Sequence, residues 1–431
     1  MSPERCALLA QLVLALPLGA FSLLALATLV GLAPSERVVN RVTALALAGG
    51  LLLAALLTVG VLGGPGSARV ELGTWFAVPG YALRFTLLLD RLSLPLALAT
   101  LGVCGLVGRF SARYLHRERR HRRFFLLLLL FTSGMLLVVL AGDLDLLFGG
   151  WELLGLASAL LIAFFDERAA PVRHALRCFL NYRACDVGIL LAAALLHHGA
   201  HGASFQPMGL TPTAHVGPWV GVLLVVGALG KSAQLPVSGW LPRAMEGPTP
   251  SSALCYGALS VHAGVYLLLR AAPFLEASPA ARALLGLIAG ATAVWATLCA
   301  RVQSDVKNGL AFASLAQVSL MLVEVALGLY DLALWHMLGH IALRTLQFLR
   351  APNALLDAQL REAVAGEPGL ATRAPAGSLR ARLWVLALDR FHVDLMLERF
   401  VVGPVMALAR GLDRWERRCA RTLGDASPED R

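Results

Sequence analysis

The sequence predicts an all-α polytopic membrane protein, and two features of the chain support this class. Of its 431 residues, 58% are hydrophobic and only 15% are charged, which is too little polar surface for a water-soluble domain of this length. Apolar runs long enough to cross a bilayer also recur along the chain. We expect about eleven transmembrane helices, at residues 7–31, 42–63, 88–110, 124–142, 145–165, 174–196, 217–235, 250–270, 281–301, 309–329 and 331–350.

Positive residues are concentrated in alternate loops, and this asymmetry predicts the orientation of the spans. Seven arginines lie between residues 109 and 123, whereas the loops at 141–145, 197–218 and 328–331 are almost free of positive charge. Because loops rich in Lys and Arg stay in the cytoplasm, we expect a protein of the inner (cytoplasmic) membrane with its N-terminus outside the cytoplasm. The same loops account for the net charge of +10, so a nucleic-acid partner is not expected.

Four segments follow from composition. Residues 1–84 contain two spans and, from residue 70 onward, a strand-like stretch that predicts a small external β-hairpin; the first apolar run is too long for a signal peptide and is interpreted as a span. Residues 85–350 form the main membrane domain. Residues 351–382 are rich in Ala, Gly and Pro and predict a cytoplasmic loop. Residues 383–431 carry too much charge for another span and predict an amphipathic helix with a basic tail.

Lys231 lies inside an apolar segment of a chain that uses arginine for almost every positive charge. The 37 Lys and Arg residues include only two lysines, Lys231 and Lys307. A desolvated lysine can lose its proton, whereas arginine effectively never does. We therefore predict that Lys231 titrates opposite Glu152, an equally costly intramembrane carboxylate, beside a helix break at Pro236. A purely structural Glu152–Lys231 ion pair is the alternative.

Further polar residues share helix faces at the predicted depth of the membrane. Arg183 and Asp186 are three residues apart, so they can pair with each other or tune Glu152 electrostatically. His336 and His340 are four residues apart, with Arg344 one turn further along the same face. Histidines in such a row suit proton relay, although individually hydrogen-bonded core histidines are a serious alternative.

The titratable groups together suggest a line that carries protons across the helix bundle, and no other chemistry is indicated. The seven cysteines form no CxxC pair and no Cys/His cluster at metal spacing. Motifs for nucleotides, flavins or iron–sulfur clusters are also missing from the sequence, so we expect no catalytic redox site, metal or cofactor in this chain. The hypothetical proton line comprises Glu152, Lys231, His262, His336 and His340.

Several stretches of the chain resemble successive motifs of the proton-conducting antiporter-like family. That family includes subunit L of bacterial NADH:quinone oxidoreductase, the large Mrp antiporter subunits and membrane subunits of membrane-bound hydrogenases. The resemblance implies two inverted five-helix repeats with broken helices. It also implies that Glu152 and Lys231 form a proton-input pair and that His336 and His340 belong to a polar axis. The stretches are FGGWELLGLASALLIAFF, FLNYRACDVGILL, GALGKSAQLPVSGWLPRAMEGPTPSSAL, AGVYLLLR, RVQSDVKNGLAFASLAQVSLM and LWHMLGHIALRTLQFL.

The chain also departs from the family pattern, which makes it a short and divergent member. Arg344 stands where the family commonly has lysine, and Tyr256 stands where subunit L has histidine. Because arginine cannot exchange a proton, the link at Arg344 is expected to be either a gate or broken. The segment LDRFHVDLMLERFVVGPVM resembles the C-terminal end of subunit L but follows directly after the eleventh span and a polar loop. We therefore expect the second repeat to be truncated, without its exit lysine.

The resemblance implies a proton-translocating membrane subunit of a larger energy-converting complex, driven by partner subunits that carry any redox chemistry. The expected partners are other membrane subunits, together with a cytoplasmic redox or zinc-binding subunit. One alternative is the membrane subunit of a DAB-type inorganic-carbon uptake complex, in which proton flux drives capture of bicarbonate or CO₂. A third interpretation is a scaffold whose proton path is interrupted at Arg344.

Overall fold

The computed structural model describes residues 2–78, 81–200, 205, 217–351 and 378–424. The chain divides into two compact units, Met1–Ala371 and Thr372–Arg431, which we call the membrane unit and the C-terminal unit. The helices of the membrane unit are α1 Pro3–Leu29, α2 Glu36–Leu62, α3 Ser93–Tyr114, α4 His121–Leu140, α5 Leu144–Ile162, α6 Ala169–Ala200, α7 Gly217–Lys231, α8 Trp240–Arg243, α9 Thr249–Ser252, α10 Ala263–Arg270, α11 Ala272–Glu276, α12 Pro279–Ala300, α13 Val306–Ala326 and α14 Tyr330–Arg350.

The membrane unit confirms the predicted all-α polytopic class. Within the described residues, nine helical segments are long and apolar enough to cross a membrane. Helix α7 has only 15 residues, and α14 is not among the nine. A helix nevertheless lies at each of the eleven predicted positions, so the exact number of crossings stays a prediction.

Capping residues in the sequence define where several helices begin. The side chains of Ser2, Asp143, Ser278 and Asp305 each accept a hydrogen bond from a backbone amide in the first turn of α1, α5, α12 and α13. Such caps satisfy amides that have no partner inside the helix. The starts of α5 and α13, which carry site residues, are therefore encoded locally.

The predicted β-hairpin is present and is attached to the α4–α5 connection. Strand β1 Ala68–Val78 pairs antiparallel with β2 Tyr81–Leu89. The Gly142 amide donates to the Thr86 carbonyl at 2.7 Å, and Thr86 Oγ1 donates to Asp143 Oδ2 at 2.7 Å. A Cβ on Gly142 would lie 2.8 Å from Thr86 Oγ1, so this contact requires glycine. Burial raises the pKa of Asp143, and the Thr86 hydrogen bond opposes that rise.

The α7 span ends earlier than predicted, because the chain turns at Ala233 rather than at Pro236. The Gln234 amide donates to the Leu229 carbonyl at 3.0 Å, and the Ala233 amide donates to the Gly230 carbonyl at 3.3 Å. Together with a φ of 51° at Ala233, these two bonds form a Schellman termination. The helix therefore stops at Lys231, four residues before the predicted end of the span.

The following span, 249–270, is also interrupted. After α9 the backbone forms a π-helical segment, Ala253–Ala258, and a 3₁₀ turn, Ser260–His262, before α10 begins. The apolar window of this span is completely buried, with α3, α13 and α14 packed around the π-helical segment. Irregular backbone is tolerated at membrane depth where protein encloses it in this way, and the interruption places His262 in the interior.

An ion pair near the hairpin connects the end of α10 to the β2–α3 connection. At the end of α10, Arg270 Nη1 donates to Asp90 Oδ2 at 2.5 Å and Nη2 donates to the Tyr266 hydroxyl at 2.8 Å. Burial by itself would raise the pKa of Asp90, but the charge and hydrogen bonds of Arg270 and the Ser93 amide outweigh it and lower the pKa. Both side chains are largely buried, so the β2–α3 connection is held against the end of α10.

The C-terminal unit contains α15 Leu379–Leu388, α16 Val393–Leu397, a π-helical segment, Glu398–Val402, and α17 Gly403–Gly424. The sequence predicts one amphipathic helix from residue 383. In the structure the helical region begins at Leu379 and is interrupted at 390–392, where all three residues have φ between 53° and 56°. Most of the predicted loop 351–382 lies outside the described residues.

Replacing Asp90 with Asn is expected to destabilise the membrane unit by about 3 kcal/mol, because it leaves the buried Arg270 charge unpaired. The lowered pKa of Asp90 means that its contribution is complete above the ordinary value of about 3.9 and is lost as the pH falls through the folded-state value. As the pH is lowered into the acid range, the thermal midpoint in detergent should therefore fall more steeply for the parent protein than for Asp90→Asn. Asp413→Asn, which removes an exposed i,i+4 pair with Arg417, is the control; an equal loss in both variants would contradict the argument.

Candidate functional site

Lys231 is enclosed by aromatic side chains rather than by a carboxylate. Its side chain is fully buried, and its Nζ lies 4.4 Å from the ring centre of Tyr182 and 4.7 Å from that of Trp151. Within the described chain, Nζ has no hydrogen-bond partner. Cation–π contacts and the negative end of the α7 dipole favour the ammonium at this place. We call Trp151, Tyr182 and Lys231 the lysine cluster.

A glycine on α5 makes room for the lysine. A Cβ on Gly155 would lie 2.8 Å from Lys231 Nζ and 3.4 Å from Tyr182 Cδ2. Trp151 and Gly155 are four residues apart, so they lie on one face of α5. The aromatic and glycine partners of Lys231 are not among the predicted site residues, although the W-x-x-x-G spacing in GWELLG is a detectable signal for two of them.

Glu152 forms its ion pair with Arg183, so the alternative of a structural Glu152–Lys231 ion pair is wrong. Arg183 Nη2 contacts Glu152 Oε2, and the same nitrogen lies 3.1 Å from Asp186 Oδ2. Successive residues of a helix are rotated by about 100°, so Glu152 points away from the α5 face that meets Lys231. Arg183 thus contacts both carboxylates, and its electrostatic tuning of Glu152 stays a prediction. We call Glu152, Arg183 and Asp186 the carboxylate cluster.

Trp151 connects these two clusters. Its ring contacts Lys231, and its Nε1 donates to Asp186 Oδ1 at 2.5 Å. Asp186 is almost completely buried, whereas the side chains of Glu152 and Arg183 are 24% and 36% exposed. The carboxylate cluster therefore reaches from the lysine environment toward the surface of the helix bundle.

The broken end of α7 is held by side chains from neighbouring helices. Trp240 Nε1 donates to the Gly230 carbonyl at 3.0 Å. Ser232 Oγ donates to the Val261 carbonyl at 2.8 Å, and Ser319 Oγ donates to Gln234 Oε1 at 3.1 Å. These bonds satisfy polar groups freed by the break and fix the backbone that carries Lys231.

His262 and His340, two members of the hypothetical proton line, are in direct contact. His262 Nε2 lies 2.9 Å from His340 Nδ1, and Arg344 Nε donates to His340 Nε2 at 3.2 Å. His340 and Arg344 share one face of α14, as their spacing predicts, and His262 comes from the interrupted span. These three residues form the histidine cluster, and all are buried.

His336 is positioned by two residues of α13. Its Nδ1 lies 2.8 Å from Glu324 Oε1, and its Nε2 lies 3.0 Å from Gln317 Oε1. Its ring centre is 6.4 Å from that of His340. Glu324, which has no evident partner in the sequence, is thus explained by His336, and Gln317 is a further partner that the sequence reasoning did not identify.

The structure therefore groups the predicted proton-transfer residues without forming one hydrogen-bonded line. Glu152 joins Arg183 and Asp186, and His262 joins His340. Across the described ranges, no hydrogen bond links Lys231 to either group. A continuous proton path through all five predicted residues stays a prediction.

Comparison with known families identifies the membrane unit. Residues 141–389, more than half of the chain, match the family described as NADH:quinone oxidoreductase/Mrp antiporter, TM. The chain belongs to this family. Residues 75–125 also match the N-terminus of chain 5 of NADH-ubiquinone oxidoreductase (complex I). The longer of the two matched ranges contains every residue proposed above for proton transfer, tuning or gating: Glu152, Arg183, Asp186, Lys231, His262, His336, His340 and Arg344.

Relatives in this family are considerably longer than the chain. NADH-quinone oxidoreductase subunit L of Escherichia coli (strain K12) is 33% identical over 74% of this chain and 54% of its own length. Subunit L of Pseudomonas aeruginosa is 31% identical over 80% of this chain and 59% of its own length. The chain thus spans about half the length of the curated relatives that it matches.

Solved structures show the same fold. The structure of the Mrp complex from Dietzia sp. DQ12-45-1b contains a chain that is 29% identical, with a TM-score of 0.67 over 79% of this chain and 37% of that one. The membrane-bound sulfane sulfur reductase, an archaeal respiratory membrane complex, shares the fold at 19% identity, with a TM-score of 0.64 over 89% of this chain and 86% of that one. These relatives are subunits of membrane complexes.

Gly155→Ala is expected to lower the thermal midpoint in detergent, because its Cβ collides with Lys231 Nζ at a cost of about 1–3 kcal/mol. In a Lys231→Ala background the collision disappears, and the same substitution should become neutral or stabilising, since alanine favours the helix by about 1 kcal/mol. Gly149→Ala, on the same helix with open space around its Cβ, should behave alike in both backgrounds. A Gly155→Ala effect that is independent of Lys231 would contradict the described packing.

Proposed function

We propose that this chain is a proton-translocating membrane subunit of a larger energy-converting complex that resembles NADH-quinone oxidoreductase. The observation that carries the proposal is the enclosure of Lys231, whose ammonium is fully buried without a hydrogen-bond partner in the described residues. Burying such a group is costly, and a neutral residue would fill the same space at lower cost. A side chain that alternates between charged and neutral states accounts for the lysine.

The carboxylate cluster supplies the electrostatic control in this proposal. Negative charge on Glu152 and Asp186 favours a proton on Lys231, while the positive charge of Arg183 opposes it. Arg183 contacts both carboxylates, so a shift of its guanidinium from one to the other changes the field at the lysine. Trp151 contacts Lys231 with its ring and binds Asp186 through Nε1. The charge on Lys231 is therefore sensitive to movement of the Arg183 guanidinium.

Protons released from Lys231 pass, in this proposal, to the histidine residues. His262 and His340 are hydrogen-bonded to each other, and His336 lies beside His340 with Glu324 as its partner. Imidazole can take up a proton on one nitrogen and release one from the other. The Glu152, Lys231, His262, His336 and His340 side chains are the proposed proton-transfer groups.

The proposed setting is a bacterial inner membrane, with the N-terminus outside the cytoplasm and with other membrane subunits as partners. The names of the relatives support this interpretation over inorganic-carbon uptake. Redox chemistry is assigned to other chains, among them a cytoplasmic redox subunit or a zinc-binding one, and no metal or cofactor is assigned to this one.

Lys231→Ala is expected to abolish proton flux through the purified full-length chain in proteoliposomes under an imposed pH gradient, because no other titratable group occupies its position. Flux is measured with a pH-sensitive dye inside the vesicles. Lys307→Ala removes the only other lysine, which lies partly exposed at the start of α13, and should leave the flux unchanged. Parent-like flux in Lys231→Ala would refute the switching-lysine mechanism, and a parent that conducts no protons would refute proton translocation by this chain.

A further inference from the structure

Arg344 occupies one of the two nitrogens through which His340 exchanges protons. On α14, Arg344 Nε donates to His340 Nε2 at 3.2 Å, and Arg344 Nη1 donates to Gln347 Oε1 at 2.8 Å. The other nitrogen of His340, Nδ1, lies 2.9 Å from His262 Nε2. His340 is thus held between a guanidinium on one side and a second imidazole on the other.

The hydrogen bonds assign the tautomers of both histidines. Arginine has only donors and does not lose its proton, so Nε2 of His340 must carry the lone pair. The single proton of a neutral His340 is therefore on Nδ1, where it is donated to His262 Nε2. A neutral His262 then carries its own proton on Nδ1.

This arrangement stops proton relay through His340. A proton crossing an imidazole enters at one nitrogen while another leaves from the opposite nitrogen. Donation of the Nδ1 proton to His262 thus requires Nε2 to receive a new proton, and Nε2 is already occupied by the Arg344 N–H. A doubly protonated His340 would place two N–H groups and two positive charges against each other.

The Arg344 guanidinium is held by neutral acceptors and not by a carboxylate within the described residues. Arg344 donates two hydrogen bonds to neutral acceptors on its own helix, His340 and Gln347. Within the described residues no carboxylate lies within ion-pair distance of Arg344, whereas Arg183 and Arg270 each contact one. Displacing this guanidinium therefore breaks no ion pair within the described residues.

We propose that Arg344 is a gate on the histidine cluster, closed when its Nε binds His340 Nε2 and open when the guanidinium leaves that nitrogen. The inference rests on the proton-translocating function proposed above. It adds a regulatory step, in which displacement of the Arg344 side chain precedes each proton transfer between His340 and His262. No covalent step other than proton transfer is involved, and every proton that enters at Nε2 is matched by one that leaves from Nδ1.

The tautomer of His340 tests the closed state directly. Full-length protein labelled with ¹⁵N-histidine is examined by NMR in nanodiscs, and His340 is assigned by the signal lost in His340→Asn. In the parent we expect His340 protonated on Nδ1 alone, and in Arg344→Met we expect the Nε2 tautomer to appear. Arg350→Met, at the exposed end of the same helix, should keep the parent spectrum. An unchanged tautomer in Arg344→Met would overturn the proposal.

Proton flux tests the gate in the same proteoliposome assay. Arg344→Met is expected to raise flux about tenfold over the parent, which corresponds to about 1.4 kcal/mol in barrier height, and Arg350→Met should not. Flux that is equal or lower in a folded Arg344→Met protein, as judged by its thermal midpoint, would overturn the gate even if the tautomer changes. Lys231→Ala in the Arg344→Met background separates the two proposals. If the added flux survives without Lys231, the lysine mechanism fails while the gate stands.

Discussion

A single ammonium group lies between two aromatic rings at the end of α7, and the packing of the surrounding helices depends on it. Lys231 sits where the helix ends, so the backbone beyond it needs partners, and Trp240, Ser232 and Gln234 provide contacts to three neighbouring elements. Its volume also constrains α5, where a Cβ at position 155 would displace the ammonium. The packing of α5, α6 and α7 thus follows from accommodating one charge in an apolar interior.

The polar residues of the candidate site form three clusters among the described residues, and each cluster compensates burial differently. Glu152 and Asp186 share the cation Arg183. The lysine relies on aromatic faces, and His262 and His340 rely on each other. Within the described residues, no hydrogen bond joins the lysine to either of the other two groups.

Helical periodicity accounts for what the sequence predicts correctly, and packing between helices accounts for what it does not. The spans, the hairpin and the shared face of His340 and Arg344 all follow from spacing along the chain. The Arg183 partner of Glu152 depends on how α5 and α6 are rotated against each other. Neighbouring residues of a helix differ in direction by about 100°. The sequence therefore shows that the Glu152 carboxylate needs a cation as partner, but not which cation faces it. The early end of α7 was missed because alanine at Ala233 is not a typical helix-terminating residue.

The left-handed backbone at Ala233 has a mechanical consequence for the helix that carries the lysine. A residue with a Cβ holds that conformation at a cost of about 1 kcal/mol, so the end of α7 is less stable than a glycine-terminated end. A glycine at position 233 would hold the same turn without this cost, so the alanine leaves a small backbone strain directly after the lysine. The length of α7 beyond Lys231 is therefore less firmly fixed than the position of the lysine itself.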